Sequence, residues 1–154
     1  GNIAILGNGA GLLMATLDLL ADATDRKPAT CLNVGHGRNI DSSTPTFGER
    51  IEQGLELLNA DKNIQAILIN ILSSVPTVLE VAEVIAKFVQ RHERTTASKT
   101  RLHDRHPHLV VRLAGFDLDS ARERLAQVQI PLIENLDEAV DRAVRQAKLS
   151  ANKR

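Results

Sequence analysis

The residues of this chain best suited to holding an anion lie in three short stretches. Gly7-Asn8-Gly9-Ala10-Gly11 follows the apolar run Ile3-Ala4-Ile5-Leu6 and precedes a helical pattern. Gly35-His36-Gly37-Arg38 follows a second apolar run, and Leu72-Ser73-Ser74-Val75-Pro76-Thr77 closes a third. Glycine lets backbone N–H groups approach a ligand closely. The serines add hydroxyls, and a helix that begins at such a turn offers unpaired N–H groups and partial positive charge. These types suit the binding of phosphate or carboxylate oxygens. The amides where the first and third crossovers begin are expected to share one pocket, on one rim of the sheet.

Other chemistries fit less well. The first turn spells G-x-G-x-G rather than G-x-G-x-x-G, and Asn33 ends the second run where a dinucleotide site wants an acid. The first turn also lacks the G-K-[ST] of a phosphate-binding loop. His36, flanked by glycines, is read as an exposed loop residue, although its place at a strand end would suit a functional histidine. His103-Asp104-Arg105-His106-Pro107-His108 contains metal-ligating types. No regular spacing aligns them and Arg105 stands among them, so the stretch is read as a solvated loop. Cys31 is read as packing rather than as a nucleophile. Arg91, Arg94, Lys99, Arg101 and Arg105 are read as a solvated face.

The elements that must position the three turns follow from periodicity. Ile3–Leu6, Ala29–Val34, Ile64–Leu72, Leu109–Leu113 and Ile130–Ile133 read as strands. The third, an unbroken apolar β-branched run, has the character of a central parallel strand covered on both faces. Pro131 puts the fifth at an edge. Helical spacing follows each strand: Leu12–Leu20, Thr46–Asn59, a third helix burying Val78, Val81, Ala82, Ile85 and Val89, then Asp117–Val128 and Asn135–Leu149. Two start signals compete for the third helix: Ser74 as cap, or Thr77 with Glu80 closing a capping box. Residues 92–108 read as a polar insertion and 150–154 as a fraying tail. Alternating strands and helices predict an α/β fold, a five-stranded parallel sheet with helices on both faces. The count suggests a flavodoxin-like three-layer order.

Composition narrows the function. The 154 residues suffice for one domain, residues 1–149, and nineteen basic residues balance nineteen acidic ones. That balance and an aromatic content of 2% argue against nucleic-acid binding and against anionic membranes. No run approaches the roughly 20 apolar residues of a membrane span. A single cysteine excludes an internal disulfide and suits a cytoplasmic setting. The abrupt opening on a strand suggests a piece of a longer protein.

Asn8–Asp18, NGAGLLMATLD, closely resembles the opening of the carboxyl-terminal domain of succinyl-CoA synthetase β subunits, N-G-A-G-L-x-M-A-T-x-D. Leu32–Gly37, Gln65–Ile71 and Val110–Gly115 are similar, in order, to that family's L-D-V-G-G-G, K-A-I-L-V-N-I and V-V-R-L-E-G. The resemblance implies a flavodoxin-like CoA-ligase domain of an acid–thiol ligase of the tricarboxylic acid cycle. It also implies an upstream ATP-grasp domain and an α subunit that binds CoA and carries the phosphorylated histidine. The parent enzyme would use CoA and Mg-ATP or Mg-GTP; this domain alone would bind no cofactor and be inactive. By the resemblance Asn8 is the succinate-binding asparagine, and Ser74-Val75-Pro76 is the substrate-binding backbone. The helix facing the phosphohistidine would run from Ser74 onward. Asn8, Gly9, Ser73, Ser74, Val75 and Pro76 are thus the expected substrate- and phosphate-binding residues, with no metal ligand and no catalytic residue of the domain's own.

The chain departs from the family at one place above all. The family's F-G-G-I-V-R-C-D becomes Leu72-Ser73-Ser74-Val75-Pro76-Thr77-Val78-Leu79, without its glycines, Arg or Asp. Pro76 also lacks an N–H. Asn33 replaces an Asp, and His36 a Gly. These changes favour an alternative reading, a catalytically degenerate flavodoxin-like binding module, and a homodimer is a further assembly to consider. A free-standing receiver is a third reading, but the paired acids of a phospho-acceptor site are missing after strand one.

Overall fold

The computed structural model describes residues 1–25, 27–36, 45–97 and 106–152, without the side chains of 94–97. The elements alternate throughout: β1 (Ile3–Gly7), α1 (Ala10–Ala23), β2 (Thr30–Asn33), α2 (Phe47–Ala60), β3 (Ala66–Ser73), α3 (Val78–Ala97), β4 (His108–Gly115), α4 (Leu118–Ala126), β5 (Leu132–Ile133) and α5 (Leu136–Ala151). The five strands form one parallel sheet in the order β2-β1-β3-β4-β5. This is the doubly wound flavodoxin-like arrangement.

The period-2 alternation of β3 sets the two cores. Ile67, Ile69 and Ile71 pack under α2, α3 and α4, with Phe47, Leu55, Val81, Ile85 and Leu125. Ala66 and Leu68 face α1 and α5, with Leu13, Leu20, Val140 and Val144. Each such Leu or Ile contributes about 1.5–3 kcal/mol when fully buried, so the sheet is held from both sides. The short β5, following Pro131, is an edge strand.

Three boundaries differ from the sequence expectation. Helix α3 begins at Val78, and Thr77 and Glu80 form the reciprocal hydrogen bonds of a capping box, so Ser74 does not start it. It then runs to Ala97, through the first residues of the expected insertion. Just before it Phe88 is buried, and at its edge Arg91 and His92 bind Glu52 and Glu56 of α2, partners that prolong the helix. Helix α5 continues to Ala151 because buried Ser150 extends the stripe of Ala143 and Ala147. Asp117 precedes α4 in a left-handed conformation, φ 64°. Residues 37–44 and 98–105 lie outside the described residues, and with them Gly37, Arg38, Lys99, Arg101, His103, Asp104 and Arg105.

Candidate functional site at the carboxyl edge

The turns after β1 and β3 meet where the strand order reverses, α1 leaving on one face of the sheet and α3 on the other. One side chain joins them. Asn8 accepts the Leu72 N–H on Oδ1 at 2.9 Å and donates from Nδ2 to the Leu72 carbonyl at 2.7 Å. The expected substrate-binding asparagine is therefore also a two-pronged clamp between turns. The second turn is joined to the first by Asn33, whose Oδ1 accepts the N–H groups of Gly9, at 3.0 Å, and Gly35, at 2.9 Å. Arg50 of α2 holds the second turn from below, donating to the carbonyls of Val34 at 2.8 Å, Pro45 at 2.7 Å and His36. His36 lies beside the first turn, its Cε1 4.0 Å from where a Gly9 side chain would begin. All three turns thus converge on one rim.

Two glycines make this convergence possible. Gly9 sits at φ 93°, which a side chain rarely adopts, and it turns the chain into α1. Gly115 ends β4 at φ 144°, with Ser73 O only 1.8 Å from where its Cβ would be. No other residue permits that approach between the ends of β3 and β4.

The two helix starts on this rim differ. Helix α1 has no side-chain cap and no acidic residue in its first turn. The N–H groups of Ala10, Gly11 and Leu12, which a helix cannot satisfy itself, have no side-chain acceptor among the described residues. At Gly11 a Cβ would meet nothing within 4 Å among the described residues. Helix α3 supplies its own acid: Glu80 Oε2 accepts the Thr77 N–H at 2.7 Å, Thr77 Oγ1 accepts the Glu80 N–H at 3.4 Å, and the Phe116 carbonyl accepts the Val78 N–H at 3.1 Å.

The remaining expected site residues divide. Ser73 is buried, and its hydroxyl donates to the Pro76 carbonyl. Ser74 is exposed, and so is Val75, at 74%. Val75 and Pro76 line a cleft of about 450 Å³ between the starts of α2 and α3, with Phe47, Glu80, Val81 and Val84. The Val75–Pro76 peptide is cis. Asn8, Gly9, Ser73 and Ser74 are not among that cleft's lining residues. Leu72 and Phe116 are also exposed, so the rim carries apolar side chains beside the first turn.

Beneath α1 runs a buried polar chain that sequence reasoning missed. Thr16 donates to the Leu12 carbonyl at 2.7 Å and accepts from Asn70 Nδ2 at 2.9 Å. Asn70 Oδ1 accepts from Arg112, at 3.1 Å, and Arg112 also donates to the Glu134 carbonyl. The signal was present: an asparagine within an apolar strand, in register with an arginine. Asn33 was legible only as a departure from the family; of its two hydrogen bonds one is local, from Gly35, and the other comes from a turn 24 residues away.

Elsewhere the chemistry is quiet. Cys31 is half-buried, and desolvation raises its thiol pKa, which disfavours a thiolate. Among the described residues no group of three His, Cys, Asp or Glu is placed to hold a metal. No described helix is long and apolar enough to cross a membrane.

Comparison with known proteins agrees with this architecture. A family model described as CoA-ligase matches residues 6–146. The chain is 33% identical over 148 residues to a protein named succinate–CoA ligase [ADP-forming] subunit beta from Halorubrum lacusprofundi. It is 34% identical to the protein of the same name from Haloarcula marismortui and 33% identical to that from Pyrobaculum calidifontis. These alignments cover 96–97% of this chain but 34% of each relative, so the chain spans about a third of their length. A parallel five-stranded sheet in this order, and a family match over nearly its whole length, place the chain in the CoA-ligase domain family.

Proposed function

We propose that this chain is the carboxyl-terminal domain of a β subunit of an ADP- or GDP-forming acyl-CoA synthetase of the succinate–CoA ligase kind, acting in the cytoplasm. In this reading it binds the oxyanions of the reaction, a carboxylate and the phosphoryl group of a phosphohistidine on an α subunit. An ATP-grasp domain upstream would supply the nucleotide site, and CoA and Mg-ATP or Mg-GTP belong to the assembled enzyme. The observation that carries the reading is the start of α1: uncapped, free of acidic residues, and joined to the third turn by Asn8. Such a helix start stabilises negative charge. Asn8, Gly9, Ser73 and Ser74 form the surroundings of that anion, and exposed Leu72, Val75 and Phe116 supply an apolar rim for a partner subunit.

Titration of the chain with phosphate and with succinate, followed by amide NMR at low ionic strength, tests this. Shifts are expected at Ala10, Gly11 and Leu12 and at Ser73 and Ser74. Silence at all of them would remove the reading. Formation of acyl-CoA from ATP by this chain unaided would contradict the division of roles.

A second reading, a binding module that has given up part of the catalytic site, is favoured by one observation. The Glu80 carboxylate already occupies the start of α3, where the family resemblance puts phosphohistidine recognition. In that case phosphate moves the α1 amides and leaves Thr77–Glu80 unmoved.

A further inference from the structure

The two sides of the sheet treat their surface charges differently. On the side of α2, α3 and α4 the helices pair them: Arg91 with Glu52 and Glu56, His92 with Glu56, and Lys87 and Arg124 with Glu83. On the other side, among the described residues, no side chain of α1 or α5 makes an ion pair. The charges there are also sorted by helix. Asp18 and Asp22 are the only charged residues of α1, and both are exposed. The second half of α5 carries only basic charge, Arg142, Arg145 and Lys148, the latter two exposed. Met14 of α1 and Leu149 of α5 are more than half exposed. A helix with as few charges as α1 presents an outer face poorly suited to water.

Register puts the two sets of charges level. Gly7, Asn70, Arg112 and Ile133 form one row across the sheet. Helix α1 begins three residues after Gly7, at Ala10, and α5 three residues after Ile133, at Leu136. The two run side by side over the same core. At about 1.5 Å per residue, Asp18 lies about 12 Å along α1 and Arg145 about 14 Å along α5, while Asp22 and Lys148 each lie about 18 Å along. A two-fold axis parallel to the helices and midway between them lays α1 of one copy over α5 of another at equal height, and the reverse. Asp18 then faces Arg145 and Asp22 faces Lys148, twice over. Glu138 and Asp141, in the first half of α5, lie over the first half of α1, which carries no charge. Such self-complementarity is what an isologous dimer requires. We propose that the α1–α5 face is an interface for a second copy of this chain, held by these reciprocal acid–base contacts and by Met14 and Leu149. The face measures about 24 by 20 Å, so a pair buries about 1,000 Å² in total, the size of a weak and reversible association.

The test is analytical ultracentrifugation of the full chain from about 10 μM to 1 mM at low salt, a range that suits an interface of this size. The parent chain is expected to pass from monomer to dimer. Two charge-reversed variants, Asp18→Lys with Asp22→Lys and Arg145→Glu with Lys148→Glu, each set like charges against one another across the face. Each is expected to dimerise at least about tenfold more weakly, because like charges repel there. Mixed one to one, the two variants are expected to recover the dimer, since every reversed charge then meets its opposite. All four substitutions lie at exposed helix positions, and circular dichroism checks that each variant is folded. A parent chain that stays monomeric overturns the proposal and leaves the face to a partner of another kind. A variant that dimerises as the parent does overturns it by placing the contact elsewhere, and a mixture that fails to recover overturns the pairing. None of these outcomes bears on the anion site, since binding of phosphate or sulfate at the start of α1 is read separately.

Discussion

Helices α1 and α3 begin one strand apart, at turns joined by Asn8, and treat their first amides in opposite ways. At α3 the chain provides its own anion, with Glu80 on the Thr77 N–H and Thr77 on the Glu80 N–H. At α1 no acidic residue stands in the first turn, the cap is a glycine, and the described side chain that reaches the turn, Asn33, is neutral. The α2 start, with its box of Thr46 and Glu49, sides with α3. A helix start stabilises whichever negative charge reaches it first. An internal carboxylate commits that stabilisation to folding, whereas an open start leaves it for a ligand. Fold and resemblance alone would assign similar roles to both turns; the carboxylate separates them.

The comparison can be broken or sharpened by substitution, and the largest effect is expected from the support under α1. Asn70→Ala removes one of the two hydrogen-bond partners of buried Thr16 and the Asn70 oxygen that accepts from Arg112. It should cost about 2–3 kcal/mol in urea unfolding, and a neutral result would show that α1 is held by packing alone. Next comes the removal of the internal anion. Glu80→Ala should cost about 1 kcal/mol by loss of the capping box. It should also let sulfate shift the Thr77–Glu80 amides, which the parent chain does not allow. If those amides already respond in the parent chain, the contrast between the helices is wrong.

The converse change closes α1. Gly11→Glu puts an acid in the first helical turn, where a Cβ has open space. Stability should rise by about 0.5–1 kcal/mol from helix propensity and the dipole, while the sulfate response at Ala10–Leu12 disappears. A retained response would locate the anion elsewhere on the rim. The smallest effect serves as a control on α3 itself. Glu83 lies one turn beyond the cap and binds Arg124 of α4, at 2.6 and 3.3 Å. That hydrogen bond lowers its pKa below the usual carboxylate value. A carboxylate with a lowered folded-state pKa stabilises above its unfolded pKa, and the contribution fades as pH falls through the folded value. Glu83→Gln should therefore be less stable than the parent by under about 1 kcal/mol at neutral pH. The two should converge in acid, with sulfate behaviour unchanged throughout.

Much of this architecture was legible in the residues. The unbroken run of β3 reads as a central strand because a segment covered on both faces must be apolar on both. Pro131 marks the edge because it cannot complete a ladder. Asn135, the first residue of the closing helix as read from periodicity, caps α5 and accepts the Glu138 N–H at 3.0 Å. The competition at α3 was visible, but not its outcome, since Ser74 and Thr77 are both good caps and only the fold shows the Thr77–Glu80 bonds made. The end of α3 was misjudged for a related reason: Arg91 and His92 look like solvated charge until α2 is seen to present Glu52 and Glu56 beside them.

Local periodicity and turn chemistry set the order of strands and helices and the presence of three turns able to meet an anion, because those signals act over a few residues. The tertiary structure decided which turn remains open. Asn8 reaches Leu72 across 64 residues, Asn33 reaches Gly9 across 24, and Asn70 meets Thr16 across 54. Hydrogen bonds of that range exist only once the sheet has set its register. They determine whether a polar group is already satisfied by its own chain or left to bind something else.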